Sequence, residues 1–304
     1  MEDLFGSDSD ACSDSDAFAG LPAASAAPCE EAYFADGSYS TRTLGLLASR
    51  PKGSGVMDFH EGVEEGMFVY VKNQISRHIL STDCHPDPDT ILTFVDDYCY
   101  SRHWMMHIGD GRKSCALENA IVDKLLLCRA AGRGIFVVEM GSYCGYSAVK
   151  MLKNLCEDDH LVCVEKDMRC IDYTNRLVQM SQLSENNNFS LIYNNKSTAQ
   201  VLDELMERML SLGFPSIDVL FLDHEKGLYL SDLKLFEEAG LLSSGSVVVA
   251  DNILSFNSPL DTYLRHVGDS SVYSSSELVE GFVEYCDDMA NPKYRDGISV
   301  SVRL

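Results

Sequence analysis

From residue 61 onward, short apolar runs alternate with longer stretches in which apolar residues recur every three or four positions. The short runs are rich in β-branched residues and have the length of buried strands, whereas the periodic stretches are typical of amphipathic helices. Before the first strand-like run, the periodicity predicts helices over Met67–Leu80, Asp89–Arg102 and Cys115–Ala131.

Strands and helices then alternate strictly. We predict strands over Ile135–Gly141, Leu161–Lys166, Ser190–Tyr193, Ile217–Leu222 and Ser246–Ala250, and helices over Ser147–Leu155, Met168–Leu183, Thr198–Leu212, Leu230–Leu241 and near Pro259–Val267. Such alternation indicates an α/β fold with a parallel sheet covered by helices on both faces. Two further candidates, Val272–Ser276 and Ile298–Leu304, are joined by a loop rather than a helix, which predicts an antiparallel edge.

Residues 1–60 have a different composition from the rest of the chain. They are rich in Ser, Asp, Ala and Gly, their apolar residues are scattered singly, and Arg42 is the first basic side chain. A segment of this kind buries too little apolar area to offset the entropy of ordering, so we predict a disordered acidic tail followed by one domain over 61–304. The Ser-Asp pairs around Leu4 and Phe18 leave two readings open, a solvated tail or a weak protein-binding segment.

Composition and charge exclude several classes of function. The 304 residues carry a formal net charge of −23, which argues against nucleic acids and anionic membranes as partners. The apolar runs are too short to span a bilayer, and the first residues lack the regions of a signal peptide. The eleven cysteines are odd in number and dispersed, without zinc spacing, and several fall within apolar patterns. We therefore expect reduced thiols in a cytoplasmic protein, and we expect a monomer.

Acidic and amide residues follow two of the predicted strands directly. Asp223 comes after Ile217–Leu222, and Asp251 and Asn252 come after Ser246–Ala250. Open α/β sheets bind ligands at the carboxyl ends of their strands, and two carboxylates with an amide oxygen form a hard oxygen site suited to Mg²⁺. Each residue alone could equally cap a helix or form a turn, but the matched positions, with Lys226 three residues beyond Asp223, favour a site.

The turn after the first strand predicts a ligand that is not a dinucleotide. Gly141 and Gly145 allow close approach of a ligand to the backbone and to the N–H groups that open the next helix. The dinucleotide fingerprint needs a third glycine, and here bulky Tyr143 and Tyr146 occupy the turn, which disfavours a nicotinamide dehydrogenase. Glu165 ends the second strand, where a carboxylate can accept ribose hydroxyls. Together these features predict a cofactor that contains one nucleoside.

Several stretches resemble the catechol O-methyltransferase family in the correct order, over roughly Val71 to Tyr285. They are VEMGSYCGYSAVKM, FLDHEKGLYLSDLKLFEEAGLL, VVVADN, the upstream HWMMHIGD, and FVEY near the C-terminus. The resemblance implies a Rossmann-like class I methyltransferase fold, with a central, mostly parallel seven-stranded sheet and an antiparallel C-terminal edge. It also implies an enzyme that uses S-adenosyl-L-methionine and Mg²⁺ to methylate one hydroxyl of a catechol-like vicinal diol.

Carried over position by position, the resemblance also assigns roles to residues. Lys226 would be the general base and Glu284 the second contact to the substrate hydroxyls; the metal ligands would be Asp223, Asp251 and Asn252. Asn252 and Lys226 would also touch the substrate, and Trp104 would form a wall of its pocket. The cofactor contacts would be Met106, Ile108, Glu139, Gly141, Tyr143, Ser147, Glu165, Ser197, Asp223 and His224. A free lysine is protonated at neutral pH, so a nearby divalent ion would have to favour the neutral amine.

The chain departs from the family at positions that would shape the substrate pocket. Glu225 stands where the family usually has a tryptophan, and Phe256 where it has a proline. The turn at residues 111–113 reads Gly-Arg-Lys, which is altered, and the connection at Cys286–Arg295 is longer. These departures leave two alternatives open: a non-catalytic protein that binds S-adenosylmethionine, or an O-methyltransferase for another polyphenol or a phenylpropanoid.

Overall fold

The computed structural model describes residues 62–101, 107–184, 188–195, 197–254, 260–285 and 294–304, so the predicted tail lies outside it. The strands are β1 (Phe136–Met140), β2 (His160–Glu165), β3 (Phe189–Tyr193), β4 (Ile217–Leu222), β5 (Leu242–Ala250), β6 (Tyr273–Phe282) and β7 (Arg295–Arg303). The α-helices are α1 (Val63–Thr82), α2 (Pro88–Ser101), α3 (Arg112–Ala130), α4 (Tyr146–Leu152), α5 (Met168–Met180), α6 (Thr198–Ser211), α7 (Tyr229–Glu238) and α8 (Asp261–Val267). A short 3-10 helix, Lys226–Leu228, precedes α7.

The strands form one seven-stranded sheet in the order β3-β2-β1-β4-β5-β7-β6. Strands β1 to β5 pair in parallel, and β7 is antiparallel to both β5 and β6. The predicted fold class, including the antiparallel C-terminal edge, is therefore confirmed. The chain moves outward from β1 to β3 and then returns to place β4 on the other side of β1, which creates a switch point where α/β sheets bind ligands.

The core has one part on each face of the sheet, because side chains of a strand alternate between its faces. All five residues of β1 are buried. Val137 belongs to the cluster that packs beneath α1 to α5, whereas Phe136 and Val138 belong to the cluster beneath α6, α7 and α8. Burial on both faces explains why the residues of β1 other than Glu139 are apolar and do not alternate with polar ones.

Several predicted boundaries were wrong by three residues or more. Strand β5 begins at Leu242 rather than Ser246, and α7 ends at Glu238 rather than at Leu241. Strand β6 extends to Phe282, well beyond the predicted end at Ser276. Its middle residues are mostly exposed and polar, as suits an edge strand with one solvated face, so the apolar pattern showed only its first residues.

The eight cysteines among the described residues are free thiols, in agreement with the prediction of reduced cysteines. Within the described residues, no helix is both long enough and apolar enough to cross a membrane.

Candidate active site

Backbone hydrogen bonds align the ends of four parallel strands at one edge of the sheet. The N–H of Asp251 donates to the carbonyl of Leu222, and the N–H of Asp223 donates to that of Met140, both at 3.0 Å. Gly141 continues the row, because its N–H donates to the carbonyl of Val164 at 2.8 Å. The structure thus brings to one edge the residues that follow β1, β4 and β5, as their positions in the sequence predicted.

Gly141 is required by the close approach of two chain segments at this edge. Its φ is +91°, a left-handed conformation that L side chains rarely adopt. A Cβ atom at this position would lie 2.8 Å from the carbonyl oxygen of Asp223. The turn after β1 and the loop after β4 therefore pack backbone to backbone.

Glu165 binds the turn after β1 through its carboxylate. One oxygen, Oε2, accepts the N–H groups of Ser142 and Tyr143 at 3.0 and 3.1 Å. The other, Oε1, accepts the N–H groups of Lys166 and Asp167. The side chain is buried and lies at the predicted edge. It holds the turn in shape, and a ribose at this position would have to share or replace these backbone donors.

Glu139 lies within β1, fully buried, beneath the predicted cofactor position. Its carboxylate accepts hydrogen bonds from the hydroxyl of Ser147 and from the thiol of Cys163, the latter at 2.9 Å. Burial is the main cause that raises the pKa of Glu139 to about 8, and the neighbouring charges of Asp223 and Glu165 add to it. A cationic ligand beside this carboxyl group would favour its ionised form.

His224 presents an unsatisfied nitrogen at the same edge. Its Nε2 lies 2.8 Å from Oδ2 of Asp232, which also accepts a hydrogen bond from the hydroxyl of Thr198 at 2.7 Å. Its Nδ1 is buried and has no hydrogen-bond partner in the described part of the chain. Buried polar atoms are normally satisfied, so this nitrogen indicates a polar group that binds here. The residues at this edge therefore fit a nucleoside-containing cofactor.

Lys226 lies beside Asp223, as its position three residues later predicted. Its Nζ donates to Oδ1 of Asp223 at 2.8 Å and to the hydroxyl of Tyr229 at 3.0 Å. Tyr229 in turn donates to the backbone carbonyl of Asp251 at 3.2 Å. The lysine side chain is 26% exposed, so its amine is held by fixed partners and is still accessible from solvent.

A second lysine, Lys113, lies in the first turn of α3 and reaches the same edge. Its ammonium group is surrounded by three carboxylates, which we call the carboxylate cluster: Asp251, Glu284 and Asp296. The Nζ atom lies 3.0 Å from Oδ1 of Asp251 and 2.7 Å from Oδ2 of Asp296, and it donates to Oε1 of Glu284. The side chains of all four residues are at most 6% exposed.

Charge couples the members of this cluster. Burial by itself lowers the pKa of Lys113, but the charges of Asp251, Glu284 and Asp296 raise it well above its ordinary value. Burial raises the pKa of Asp251 to about 8, against the opposing effect of Lys113. Burial also acts to raise the pKa of Asp296, but Lys113 and the amide of Asn252 bring it below its ordinary value. Lys113 is therefore the stable positive charge of the cluster.

The predicted metal ligands are together only in part. Asp223 and Asp251 each bind a lysine ammonium within 3.0 Å, Lys226 and Lys113 respectively. Asn252 directs its Nδ2 toward two carboxylates of the cluster, at 2.8 Å from Oδ2 of Asp296 and 3.2 Å from Oε1 of Glu284. Among the described residues, the three acidic side chains whose oxygens converge within 4.8 Å of one another are those of the carboxylate cluster. As arranged, these donors fit an ammonium ion better than a divalent one.

The remaining predicted contacts have mixed outcomes. Ile108 is buried, and Ser197 is exposed at the start of α6. Tyr143 lies in the turn with a φ of +44°, and its hydroxyl donates to Glu64 of α1 at 3.0 Å. Tyr146, expected in the turn, instead packs in the core, where it stacks on His107. Trp104, Met106 and Phe256 lie outside the described residues.

Sequence reasoning missed four residues that shape the site. Tyr229 and Asp232 hold Lys226 and His224; both lie on α7, and their spacing from the partners was the available signal. Lys113 was visible as an alteration of the turn at residues 111–113 but was given no role. Asp296 had no signal, because it lies at the start of β7, before Ile298, where the predicted strand began.

Comparison with known proteins shows which families the chain resembles. The family model for O-methyltransferase matches residues 118–262. Catechol O-methyltransferase of Bos taurus is 28% identical over 214 residues, which are 70% of this chain and 72% of that protein. Catechol O-methyltransferase B of Danio rerio is 29% identical over 219 residues, 72% of this chain and 73% of that one. The transmembrane O-methyltransferase of Homo sapiens is 26% identical over 258 residues, 85% and 76% of the two chains.

A solved structure supports the same fold. The O-methyltransferase from Bacillus cereus, in complex with SAH, aligns with a TM-score of 0.52 at 14% identity and covers 77% of this chain and 100% of its own. This similarity concerns the sheet and its helices, which are those described above. The matched family model, the relatives and the residues at the sheet edge agree, and the chain is similar to O-methyltransferases, with catechol O-methyltransferases among the proteins that it resembles.

Proposed function

We propose that this protein transfers a methyl group from S-adenosyl-L-methionine to one hydroxyl group of a small catechol-like diol. One observation carries the proposal: a general base candidate lies beside a site that fits a nucleoside. The site is formed by Gly141, Glu165 and His224. The candidate base is the amine of Lys226, which Asp223 holds in place. The match of residues 118–262 to the O-methyltransferase family model suggests the reaction class. The relatives named catechol O-methyltransferase suggest the acceptor.

The cofactor would lie along the ends of β1, β2 and β4. S-adenosylmethionine supplies an electrophilic methyl group on a cationic sulfonium. The buried carboxyl group of Glu139 provides a negative charge on that side, and the backbone of Gly141 allows close approach. Glu165 would bind the ribose hydroxyls, and Nδ1 of His224 would gain the partner that it lacks in the described chain.

Lys226 would act as the general base. The ammonium group, which is paired with Asp223, would first release a proton to solvent. The neutral amine would then take the proton of the acceptor hydroxyl while that oxygen bonds to the methyl carbon and the sulfur–carbon bond breaks. The products are the methyl ether, a neutral thioether and the lysine ammonium, so charge and atoms balance. Asp223 and Tyr229 fix the position of Nζ, at 2.8 and 3.0 Å. Most of the rate enhancement in such a displacement comes from alignment and electrostatics.

The expected requirement for Mg²⁺ rests on the similarity to catechol O-methyltransferases. Asp223, Asp251 and Asn252 are the residues that would hold the ion, but two of them bind lysine ammonium groups. For this reason no step of the proposed transfer depends on a metal ion. Glu284, proposed as the second contact to the substrate hydroxyls, accepts a hydrogen bond from Lys113.

The acceptor would differ from that of the relatives in polarity. Glu225 is exposed next to His224, at the position where the resemblance expects a tryptophan. A carboxylate removes apolar contact with an aromatic ring and adds a negative charge. We therefore propose that diols with a cationic or polar substituent are preferred over simple catechol.

Mass spectrometry of products tests the proposal directly. Purified full-length protein is incubated with S-adenosylmethionine and a panel of vicinal diols, with a monophenol matched to each diol, in the presence and absence of added Mg²⁺. We expect a product 14 mass units heavier than the diol. Binding of the cofactor without any methylated product across the panel would favour the non-catalytic alternative.

Lys226→Met tests the general base. We expect a loss of kcat of about 100-fold or more, the usual contribution of a positioned base, with cofactor affinity retained. Lys234→Met is the matched control, because Lys234 is an exposed lysine of α7. If both variants keep full activity, Lys226 is not the base.

The cytoplasmic location and the monomeric state stay proposals that rest on composition. Light scattering of the purified protein tests the monomeric state.

A further inference from the structure

We propose that the ε-ammonium group of Lys113 is a built-in cation that fills the carboxylate cluster of Asp251, Glu284 and Asp296 in place of a divalent metal ion. The inference concerns the electrostatics of the proposed active site. It rests on the proposed function for its effect on turnover, but its prediction about metal binding can be tested without any activity.

The contacts of Lys113 are those of a bound cation rather than of a surface lysine. Its Nζ contacts one oxygen of each of the three carboxylates. The side chains are at most 6% exposed, so solvent cannot screen the interaction. Two of the partners, Asp251 and Glu284, are the residues that the resemblance assigned to the metal and to the substrate hydroxyls. The ammonium thus contacts groups that were expected to serve the metal ion and the diol.

The aliphatic part of the Lys113 side chain packs against a glycine of the antiparallel edge. Gly281 of β6 pairs with Asp296 of β7 across the antiparallel edge. A Cβ atom at residue 281 would lie 2.9 Å from Cγ of Lys113. The stem therefore packs against Gly281, where a side chain is missing, and the ammonium lies 2.7 Å from Oδ2 of Asp296. Gly281 leaves room for the stem of Lys113, and Asp296 binds its ammonium group.

An ammonium and a divalent ion compete for this cluster. Like charges a few ångströms apart repel strongly in a buried site, so the ammonium of Lys113 opposes the binding of a divalent ion at these carboxylates. Lys226 adds a second ammonium, on Asp223. Removal of the charge of Lys113 should therefore create affinity for a divalent ion that the wild-type protein lacks.

Mn²⁺ binding to the full-length protein tests the inference. The protein is freed of metal with a chelator and titrated with Mn²⁺ by calorimetry and by electron paramagnetic resonance. We expect no saturable site in the wild type at the cluster. We expect Lys113→Met to bind Mn²⁺ at least ~10-fold more tightly and to gain thermal stability in its presence, because three buried carboxylates then lack a cation.

Three variants serve as controls. Lys113→Arg keeps the charge and should gain no Mn²⁺ site. Lys153→Met removes a different paired lysine, which binds Asp89 and Glu118 away from the cluster, and should behave as the wild type. The double variant Lys113→Met, Asp296→Asn has one buried negative charge fewer than Lys113→Met. It should therefore fold more readily, and its Mn²⁺ site should be weaker than that of Lys113→Met.

Two outcomes would overturn the inference. One is a wild-type Mn²⁺ site as tight as that of Lys113→Met and lost in Asp251→Asn, since metal and ammonium would then coexist. The other is a folded Lys113→Met protein that gains no affinity. Cofactor binding and product formation, measured in parallel, separate this result from a failure of the proposed function: a chain without methylated products still reports on metal binding.

Discussion

Glu139 shows how burial changes the chemistry of a single side chain. The carboxyl group lies in a central strand with hydrogen bonds from Ser147 and Cys163. Its raised pKa of about 8 means that the folded protein without cofactor holds a proton that the unfolded chain releases near pH 4.5. Sequence placed this residue at the cofactor, but its protonation state depends on neighbours that only the fold supplies.

The pH dependence of stability follows from this shift. A group whose pKa is raised on folding contributes stability that is fully present below the unfolded pKa and is lost as pH rises through the folded pKa. The protein without cofactor should lose stability between about pH 4.5 and pH 8 relative to Glu139→Gln, by a few kcal/mol at most. Chemical denaturation of both proteins at pH 5 and pH 8 measures the difference, in which contributions from other groups cancel. If the free energy of unfolding changed equally with pH in both proteins, the raised pKa of Glu139 would be contradicted.

Lys113 and Lys226 mark the limit of sequence reasoning at the scale of residues. Lys226 could be placed beside Asp223 because three residues separate them. Lys113 contacts Glu284 and Asp296, which lie 171 and 183 positions later, so no local pattern could reveal the contact. The departure from the family at residues 111–113 was visible, but its consequence depends on where β6 and β7 lie.

At the scale of elements, the turn between β1 and α4 is the most constrained connection. Gly141 combines a left-handed conformation with close backbone packing against the loop after β4. The two causes of constraint can be separated, because Gly132 also has a positive φ, of +74°, but has nothing within 4 Å of its Cβ position.

Gly141→Ala should therefore destabilise the protein more than Gly132→Ala. The left-handed backbone alone costs about 1 kcal/mol in Gly132→Ala, and we expect about 2–4 kcal/mol in Gly141→Ala, because the backbone of Asp223 must also shift. Thermal or urea unfolding gives the two values. Cofactor affinity should fall in Gly141→Ala and stay unchanged in Gly132→Ala. If both variants lost similar amounts of stability, the backbone contact between Gly141 and Asp223 would not constrain the turn.

The elements themselves were predicted with uneven success. Strands β1, β2 and β4 are buried on both faces, so their apolar runs gave the position of each. Strand β6 is an edge strand with mostly exposed residues, and the pattern missed most of it. The polar start of β5, Leu242–Gly245, was missed for the same reason. Burial decides how much of a strand is visible in the sequence.

At the scale of the whole molecule, the chain is divided by composition. Residues 1–60 are rich in Ser, Asp, Ala and Gly, whereas the described core begins with α1. We expect a chain shortened to residues 61–304 to keep its melting temperature within about 2 °C and to keep its methyltransferase activity, since the tail offers little apolar area to bury. Scanning calorimetry and the product assay check this. A clear loss of stability would show that the tail packs on the domain.

The sequence by itself determined the α/β class, the parallel sheet and the edge at which the ligand residues gather. It could do so because apolar periodicity reports burial, and because residues after parallel strands must meet at one edge. The family followed from ordered stretches around those same residues. Each of these inferences rests on positions close together in the chain.

Only the tertiary structure decided what neutralises the carboxylates at that edge. The site predicted for a divalent ion contains donors that already bind two lysines, and one of these lysines arrives from a distant helix through a gap left by Gly281. Electrostatic energy depends on distances of a few ångströms between charges, and sequence patterns do not encode such distances for residues far apart in the chain.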